Sequence, residues 1–278
     1  MASDLAIEFA ADKTKENKGI FKTETLINDI KVTLVKIENQ DVAIELGKEK
    51  GEYLSFESNR NANIFDTEGL SSIIADNLSK MLADVRGTAL VVGIGNIEVT
   101  PDAIGPKTAR KIFATRHLDT CFLNRFGLEN LKPVAAIAPG VLGQTGIEIL
   151  EIVKSISSSI KPDVIIFIDA LAADEVSRLG SCIQISNTGI SPGSGVGNKR
   201  AELSIKTLGV NCITIGVPTV TDASYLLNDK RIEADTARYI ITPREIDRIL
   251  ETASSVLADA LNNALQPLLD RELLSLIV

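Results

Sequence analysis

Two aspartates stand where apolar runs break off, which is where an open α/β sheet presents its chemistry. Asp102 lies in Thr100-Pro101-Asp102-Ala103, past the run Ala89–Ile94, and Asp169 directly ends the run Ile165-Ile166-Phe167-Ile168. Each has a plain structural reading: Asp102 as a first-turn carboxylate meeting a helix dipole, Asp169 as the N-cap of a following helix. Brought together from neighbouring strand ends, the two would share a proton, one acting as base and the other as acid toward a bound water. The same pair could hold a divalent ion through oxygen ligands.

Glycine-rich stretches follow the same kind of apolar run. Gly93-Ile94-Gly95-Asn96 lacks the third glycine of a dinucleotide fingerprint. The stretch Ser186–Arg200 carries Gly189, Gly193, Gly195 and Gly197, but Asn198 separates Gly197 from Lys199, and Arg200 stands where a phosphate-binding loop has Ser or Thr. Each stretch is either a tight structural turn or a backbone-lined rim for a substrate. In the second case the N–H groups of Gly93, Gly95 and Asn96, or of Gly193, Gly195 and Gly197, would be available to an oxyanion. A third glycine turn, Gly140–Gly146, offers Thr145 as a helix cap.

The remaining candidate chemistry is sparse. The single histidine, His117, reads as structural, and one imidazole cannot supply a His-Glu-x-x-His zinc site. Cys121, Cys182 and Cys212 form no Cys-x-x-Cys pair, which excludes a zinc ribbon or a thioredoxin-type site. Cys182 and Cys212 sit in apolar surroundings and read as buried inert thiols, suited to a reducing compartment.

The elements that must position these groups fall into two regions. Residues 1–30 are polar and weakly patterned, and are expected to run over the surface. Over about 31–57, short apolar segments at 32–37, 42–46 and 53–56, punctuated by Asn39-Gln40-Asp41 and Gly47–Gly51, predict an antiparallel hairpin or meander. Leu70, Ile73, Ile74, Leu78, Met81 and Leu82 predict an amphipathic helix, with Gly87 as a stop beyond it. Over about 87–263, the runs Ala89–Ile94, Val134–Ala138, Val164–Ile168, Cys182–Ile185 and Cys212–Val217 suit parallel strands buried on both faces. Helical patterns near 106–116, 145–160, 172–179 and 201–208 lie between most of them, and 243–263 reads as a closing helix. The expected fold is α/β, a doubly wound and mostly parallel sheet with flanking helices, joined to the N-terminal β-rich region in a single domain running from residue 5 to 278.

Composition bounds the function. A chain of 278 residues can bury roughly 75% of its unfolded surface. With 45% hydrophobic but only 4% aromatic residues, its core must be built from Ile, Leu, Val and Ala. A net charge of −8 disfavours a nucleic-acid or anionic-membrane surface. The apolar runs are strand length, far short of a membrane span, and Met1-Ala2-Ser3-Asp4 has no basic region, so neither a membrane anchor nor a signal peptide is expected.

Taken together, GIGNIEVTPDAIGP, TRHL, APGVLGQTGIEILEIV, IKPDVIIFIDALAA, QISNTGISPGSGVGNKR and IGVPTVTDA, in this order over residues 93–223, resemble the spore germination protease family. The resemblance implies an endopeptidase that begins degradation of small acid-soluble spore proteins in the spore core, a homotetramer, and a fold similar to hydrogenase-maturation proteases. The family's two essential aspartates occupy the TPDAIGP and IDALAA motifs, hence Asp102 and Asp169. No cofactor is implied, and a divalent metal on the two aspartates is left open.

The family is also made as a zymogen that removes a short propeptide. Ser3-Asp4-Leu5-Ala6-Ile7-Glu8-Phe9 resembles its cleavage sites and places the cut between Asp4 and Leu5, leaving residues 1–4 as a propeptide shorter than the family pattern. Asn187 and Ser191 depart from the Asp and His expected in relatives, and the chain is short for the family. The alternatives are a non-catalytic peptide-binding protein on the same fold and a hydrogenase-maturation-type, metal-dependent endopeptidase.

Overall fold

Leu5, Ala6 and Ile7 are buried where a surface run is expected. They open helix α1 (Ala6–Lys13) in the computed structural model, which describes residues 3–13, 19–58, 65, 69–193, 200–223 and 239–267. A second departure follows at once. Strands β1 (Ile20–Ile27) and β2 (Ile30–Ile37) pair antiparallel around Asn28-Asp29, both at positive φ (47° and 62°), the backbone hand that suits a two-residue hairpin. The apolar spacing at 42–46 does not make a strand but helix α2 (Gln40–Leu46). The Asn39 side chain accepts from the Asp41 and Val42 amides and starts it, and Gly47, at φ 61°, ends it. Strand β3 (Gly51–Ser58) then pairs antiparallel with β2.

Helix α3 (Leu70–Met81) buries Leu70, Ile73, Ile74 and Leu78, as its spacing predicts. Beyond it come strand β4 (Ala89–Ile94), a 3-10 turn at Thr100–Asp102, and helices α4 (Ile104–Ala109) and α5 (Thr120–Phe126). Strand β5 (Val134–Gly140), helices α6 (Leu142–Thr145) and α7 (Ile149–Ile160), and strand β6 (Val164–Ala172) follow. The strand at β6 runs through Asp169, so that residue is no helix cap, and the helix expected over 172–179 shrinks to a 3-10 turn at Val176–Arg178. Strand β7 (Cys182–Ser186), helix α8 (Ile205–Leu208), strands β8 (Asn211–Asp222) and β9 (Ile240–Ile241), and helix α9 (Ile246–Leu265) complete the described chain.

The strands form one mixed sheet in the order β1-β2-β3-β7-β8-β6-β4-β5, with β9 on β8. The β8-β6-β4-β5 half is parallel. Strand β7, expected to be parallel, is antiparallel to both β3 and β8, because it joins the N-terminal meander to the parallel half. Helices cover both faces. Residues of α3, α4 and α9 form the larger core with one face of the sheet, including Leu78, Ile104 and Leu257. Ile149 and Val153 of α7 pack with Leu90, Ile165 and Phe167 on the other. Each such Leu, Ile or Phe contributes about 1.5–3 kcal/mol by leaving water, which is what holds β4 and β6 side by side. From β4 the chain crosses to β5 on one flank and then to β6 on the other. That reversal opens a crevice at the carboxyl ends of β4 and β6.

Candidate active site

Asp102 and Asp169 both face this crevice. Strands β4 and β6 run parallel with Gly93 opposite Ile168, so Asp169 lies one residue past the last β4 pair. Close approach of α4 brings Asp102 to the same place. A Cβ on Gly93 would lie 2.1 Å from the Gly105 carbonyl oxygen, and one on Gly105 would lie 2.2 Å from that of Ile94. Gly95, at φ 124°, lets the Asp102 turn fold back, since a Cβ there would lie 2.0 Å from the Asp102 carbonyl oxygen. Gly93 and Gly95 therefore serve close backbone packing here. The Asn96 amide donates to Asp102 Oδ2 at 2.7 Å, while Asn96 Oδ1 accepts from Gln144 Nε2 at 2.6 Å and from the Glu98 amide at 3.0 Å. Asn96 thus ties the loop after β4 to helix α6, which follows β5, and holds the carboxylate in place.

The two carboxyls line one cavity of about 460 Å³, with Asp4, Gly95, Pro101, Leu142, Gly193, Arg200 and Thr219 among its walls. Asp169 is 4% exposed, and Asp102 is half-buried. Burial pushes the Asp169 carboxyl well above the usual carboxylate range, and the charges of Asp102 and Asp4 push it further against a single opposing donor, the Ala170 amide at 2.9 Å. Burial raises Asp102 as well, partly offset by the Asn96 amide. One site thus contains a carboxyl that tends to keep its proton beside one that gives it up more readily, the asymmetry an acid–base pair needs. Among the described residues, no group of three or more His, Cys, Asp or Glu is placed to hold a metal ion.

The chain's own N-terminal segment forms part of the cavity wall at Asp4. Asp4 and Ala172 exchange two hydrogen bonds at 2.9 Å, from the Asp4 amide to the Ala172 carbonyl and from the Ala172 amide to Asp4 Oδ2. The Asp4 carbonyl oxygen, which belongs to the Asp4–Leu5 peptide bond, accepts from Lys48 Nζ at 2.9 Å and Gln184 Nε2 at 3.2 Å. Lys48 also reaches the Ser3 carbonyl at 3.3 Å and lies 5.6 Å from the centre of the Phe9 ring. Burial pulls its ammonium below the usual lysine range, against the charges of Asp4, Glu8 and Asp174. Lys48, Gln184, Asp4 and Asp169 line a second cavity of about 360 Å³, which shares Asp4 and Asp169 with the first.

The family model for germination protease matches residues 1–240. The chain belongs to the germination protease family. This peptidase is 39% identical to the germination protease of Clostridium acetobutylicum over 96% of either chain. It is 39% identical to that of Clostridium tetani over 97% of either. The germination protease of Bacillus subtilis is 42% identical over 86% of this chain and 66% of that one. Among solved structures, the [NiFe] hydrogenase maturation protease HycI of Thermococcus kodakarensis matches 67% of this chain and 99% of its own at 17% identity, with a TM-score of 0.39.

Other sequence candidates fall elsewhere. Gly193 lines both cavities, while Gly195 and Gly197 lie outside the described residues. The Asn96 amide is committed to Asp102. Asn187 exchanges hydrogen bonds with Glu52 at the start of β3, and Ser191 lines the second cavity. His117 is exposed in a turn. Thr145 ends α6 and accepts from the Ile147 amide at 3.1 Å, so it caps nothing that follows. Lys48 and Gln184 were not singled out by sequence. Gln184 carried a signal, a polar side chain inside the buried run Cys182–Ser186. Lys48 carried none, since Gly47–Gly51 reads as a turn.

Proposed function

We propose that this peptidase cuts by aspartate-dependent attack of water, that small acid-soluble spore proteins are its substrates during germination, and that it removes its own residues 1–4. The observation that supports this best is the Asp4 carbonyl, held by Lys48 and Gln184 in a cavity that Asp169 also lines and that adjoins the one lined by Asp102 and Asp169. A peptide laid there presents a carbonyl that is already polarised to two carboxyls of unequal acidity.

In the proposed reaction Asp102 takes a proton from water as the water oxygen bonds to the carbonyl carbon. Lys48 and Gln184 stabilise the negative charge that develops on the carbonyl oxygen, the role the sequence assigned to glycine amides. Asp169 gives its proton to the amide nitrogen as the C–N bond breaks, leaving a new carboxyl and a new amine. Asp102 then passes its proton to Asp169, and the pair is reset. This uses the chain's own residues and no cofactor. The working assembly is a homotetramer in the spore core, and β1, at the sheet's outer edge with Phe21 and Leu26 exposed, offers a strand for subunit contact.

Asp102→Asn and Asp169→Asn should each abolish fragmentation of a purified small acid-soluble spore protein and leave the Asp4–Leu5 bond intact, also after chelator treatment of the wild type has left its rate unchanged. Full activity in either variant refutes the aspartate pair. Active enzyme that retains Met1 or Ala2 on N-terminal sequencing refutes the processing site.

A further inference from the structure

The register between β6 and β8 slips once, beside the aspartates. Asp169 lies opposite Gly216 and Leu171 opposite Pro218, but the next pair is Ala172 with Val220. Thr219 is the residue left over. Such a bulge is uncommon between parallel strands, and bulges next to active sites re-aim a side chain. The backbone around this one is fastened at three points. The Gly180 amide donates to the Pro218 carbonyl at 2.8 Å, the Ala173 amide to that of Val220 at 3.1 Å, and Thr242 Oγ1 to that of Thr219 at 2.9 Å.

The Thr219 side chain is in the opposite condition. The residue is 0% exposed, and its Oγ1 meets no hydrogen-bond partner among the described residues. Buried hydroxyls nearly always have a partner, so an exception needs a cause. Thr33, Ser55 and Thr221 carry the same unmet hydroxyl, but none of them lines either cavity at the aspartates. Thr219 lines the cavity that contains Asp102 and Asp169. Among the described residues of that wall, the one other neutral polar side chain is Thr242, whose hydroxyl already donates to the Thr219 carbonyl. Ile94, Leu142 and Val220 beside them offer no side-chain hydrogen bond.

We infer that Thr219 is a further catalytic residue, whose hydroxyl holds the attacking water against Asp102. The inference rests on the proposed aspartate-dependent hydrolysis. A water in such a cavity needs more than one polar partner. One of its hydrogens points to Asp102, which takes it as a proton when the water oxygen bonds to the carbonyl carbon. The other stays on that oxygen, and Thr219 Oγ1 accepts it as a hydrogen bond. Thr219 keeps its own proton throughout, so the balance of the reaction is unchanged. What the hydroxyl adds is direction, because a water fixed at both hydrogens turns a lone pair to the carbonyl carbon.

The test measures kcat and KM of wild type, Thr219→Val, Thr219→Ser and Asp102→Asn on a purified small acid-soluble spore protein, with Tm followed by circular dichroism. Valine keeps the shape without the hydroxyl, and serine keeps the hydroxyl. For Thr219→Val, kcat should fall about 10²-fold with KM unchanged, and Thr219→Ser should recover about tenfold or more of that loss. Tm of Thr219→Val should hold or rise, since the hydroxyl removed has no partner in the free fold. If the valine variant does not fold, Thr219→Ser against Thr219→Ala decides on the same readouts, with alanine the slower. Wild-type kcat without the hydroxyl, a loss carried by KM, or a loss that comes with a lower Tm and is not recovered by serine overturns the role of Thr219. If Asp102→Asn is inactive in that experiment, the aspartate reading still stands. If Asp102→Asn is as active as wild type, or wild type cuts no spore protein, the aspartate reading falls and the water-holding role falls with it.

Discussion

Asp169→Asn should make the protein more stable while removing its activity. The carboxyl is 4% exposed, accepts from the Ala170 amide at 2.9 Å, and shares the cavity with Asp102 and Asp4. Burial first, then those two charges, raise its folded-state pKa well above the usual value. The folded state therefore keeps a proton that the unfolded chain releases near pH 4. Below that pH the carboxyl is neutral in both states and costs nothing. As pH rises, release in the unfolded state draws the equilibrium away from the fold, until the folded carboxyl ionises too and the penalty is complete. Asparagine keeps the shape without the charge. Relieving an imperfectly satisfied buried group of this kind is worth about 1–3 kcal/mol. At about 2–4 °C per kcal/mol for a chain near this size, Tm should rise by about 2–12 °C at pH 7.5. Thermal unfolding of wild type and variant followed by circular dichroism from pH 3.5 to pH 8 measures this. The gap should close at the acid end. A variant no more stable than wild type at pH 7.5, or a gap that does not change with pH, would refute the claim that this carboxyl is held against its solvation preference.

Three further outcomes follow from the same geometry. Lys48→Met keeps the bulk but removes the donor to the Asp4 carbonyl at 2.9 Å, so kcat on a peptide substrate should fall about 10²- to 10³-fold with a smaller change in KM; an unchanged kcat would remove Lys48 from the reaction. Gly95→Ala combines φ 124° with a Cβ 2.0 Å from the Asp102 carbonyl oxygen, so the turn must move. Activity should drop about 10²-fold, and Tm measured alongside should fall as well. Burial pushes the Cys212 thiol up to about 12 and Cys182 well up also, while Cys121 is exposed. Iodoacetamide on native protein should therefore add one carbamidomethyl group by mass spectrometry and leave activity intact.

The parallel half of the sheet was legible because burial on both faces writes itself as an unbroken apolar run. Ala89–Ile94 is such a run and forms β4 with the same ends. The N-terminal region was not, because its pattern is local and ambiguous. Val42, Ile44 and Leu46 alternate like a strand, yet Asn39 and Gly47 cap a helix at either end and Ile44 is left exposed. Capping hydrogen bonds outweighed periodicity over so short a segment. Strand β7 was read one residue short and in the wrong direction. Its residues are buried on both faces in either orientation, and only the neighbours β3 and β8 decide the sense.

The candidate site divides along the same line. Asp102 and Asp169 could be picked out because each follows an apolar run, and strand-end position is a local signal. That they share a cavity depends on Gly93 and Gly105 letting α4 onto the strands, a contact between residues of two elements. The groove beside them was out of reach for a stronger reason. It is assembled from Lys48 after α2, Gln184 on β7, Arg178 before it and the N-terminal segment itself, partners as far as 180 residues apart in the case of Asp4 and Gln184. No spacing rule joins them, since each follows from a different element's local needs. What brings them together is the antiparallel β3–β7–β8 junction, because β3 carries Glu57 to Arg178 and β7 carries Gln184 to Asp4. The part of the sheet that was hardest to read is therefore the part that builds the peptide groove, while the legible parallel half supplies the carboxyls.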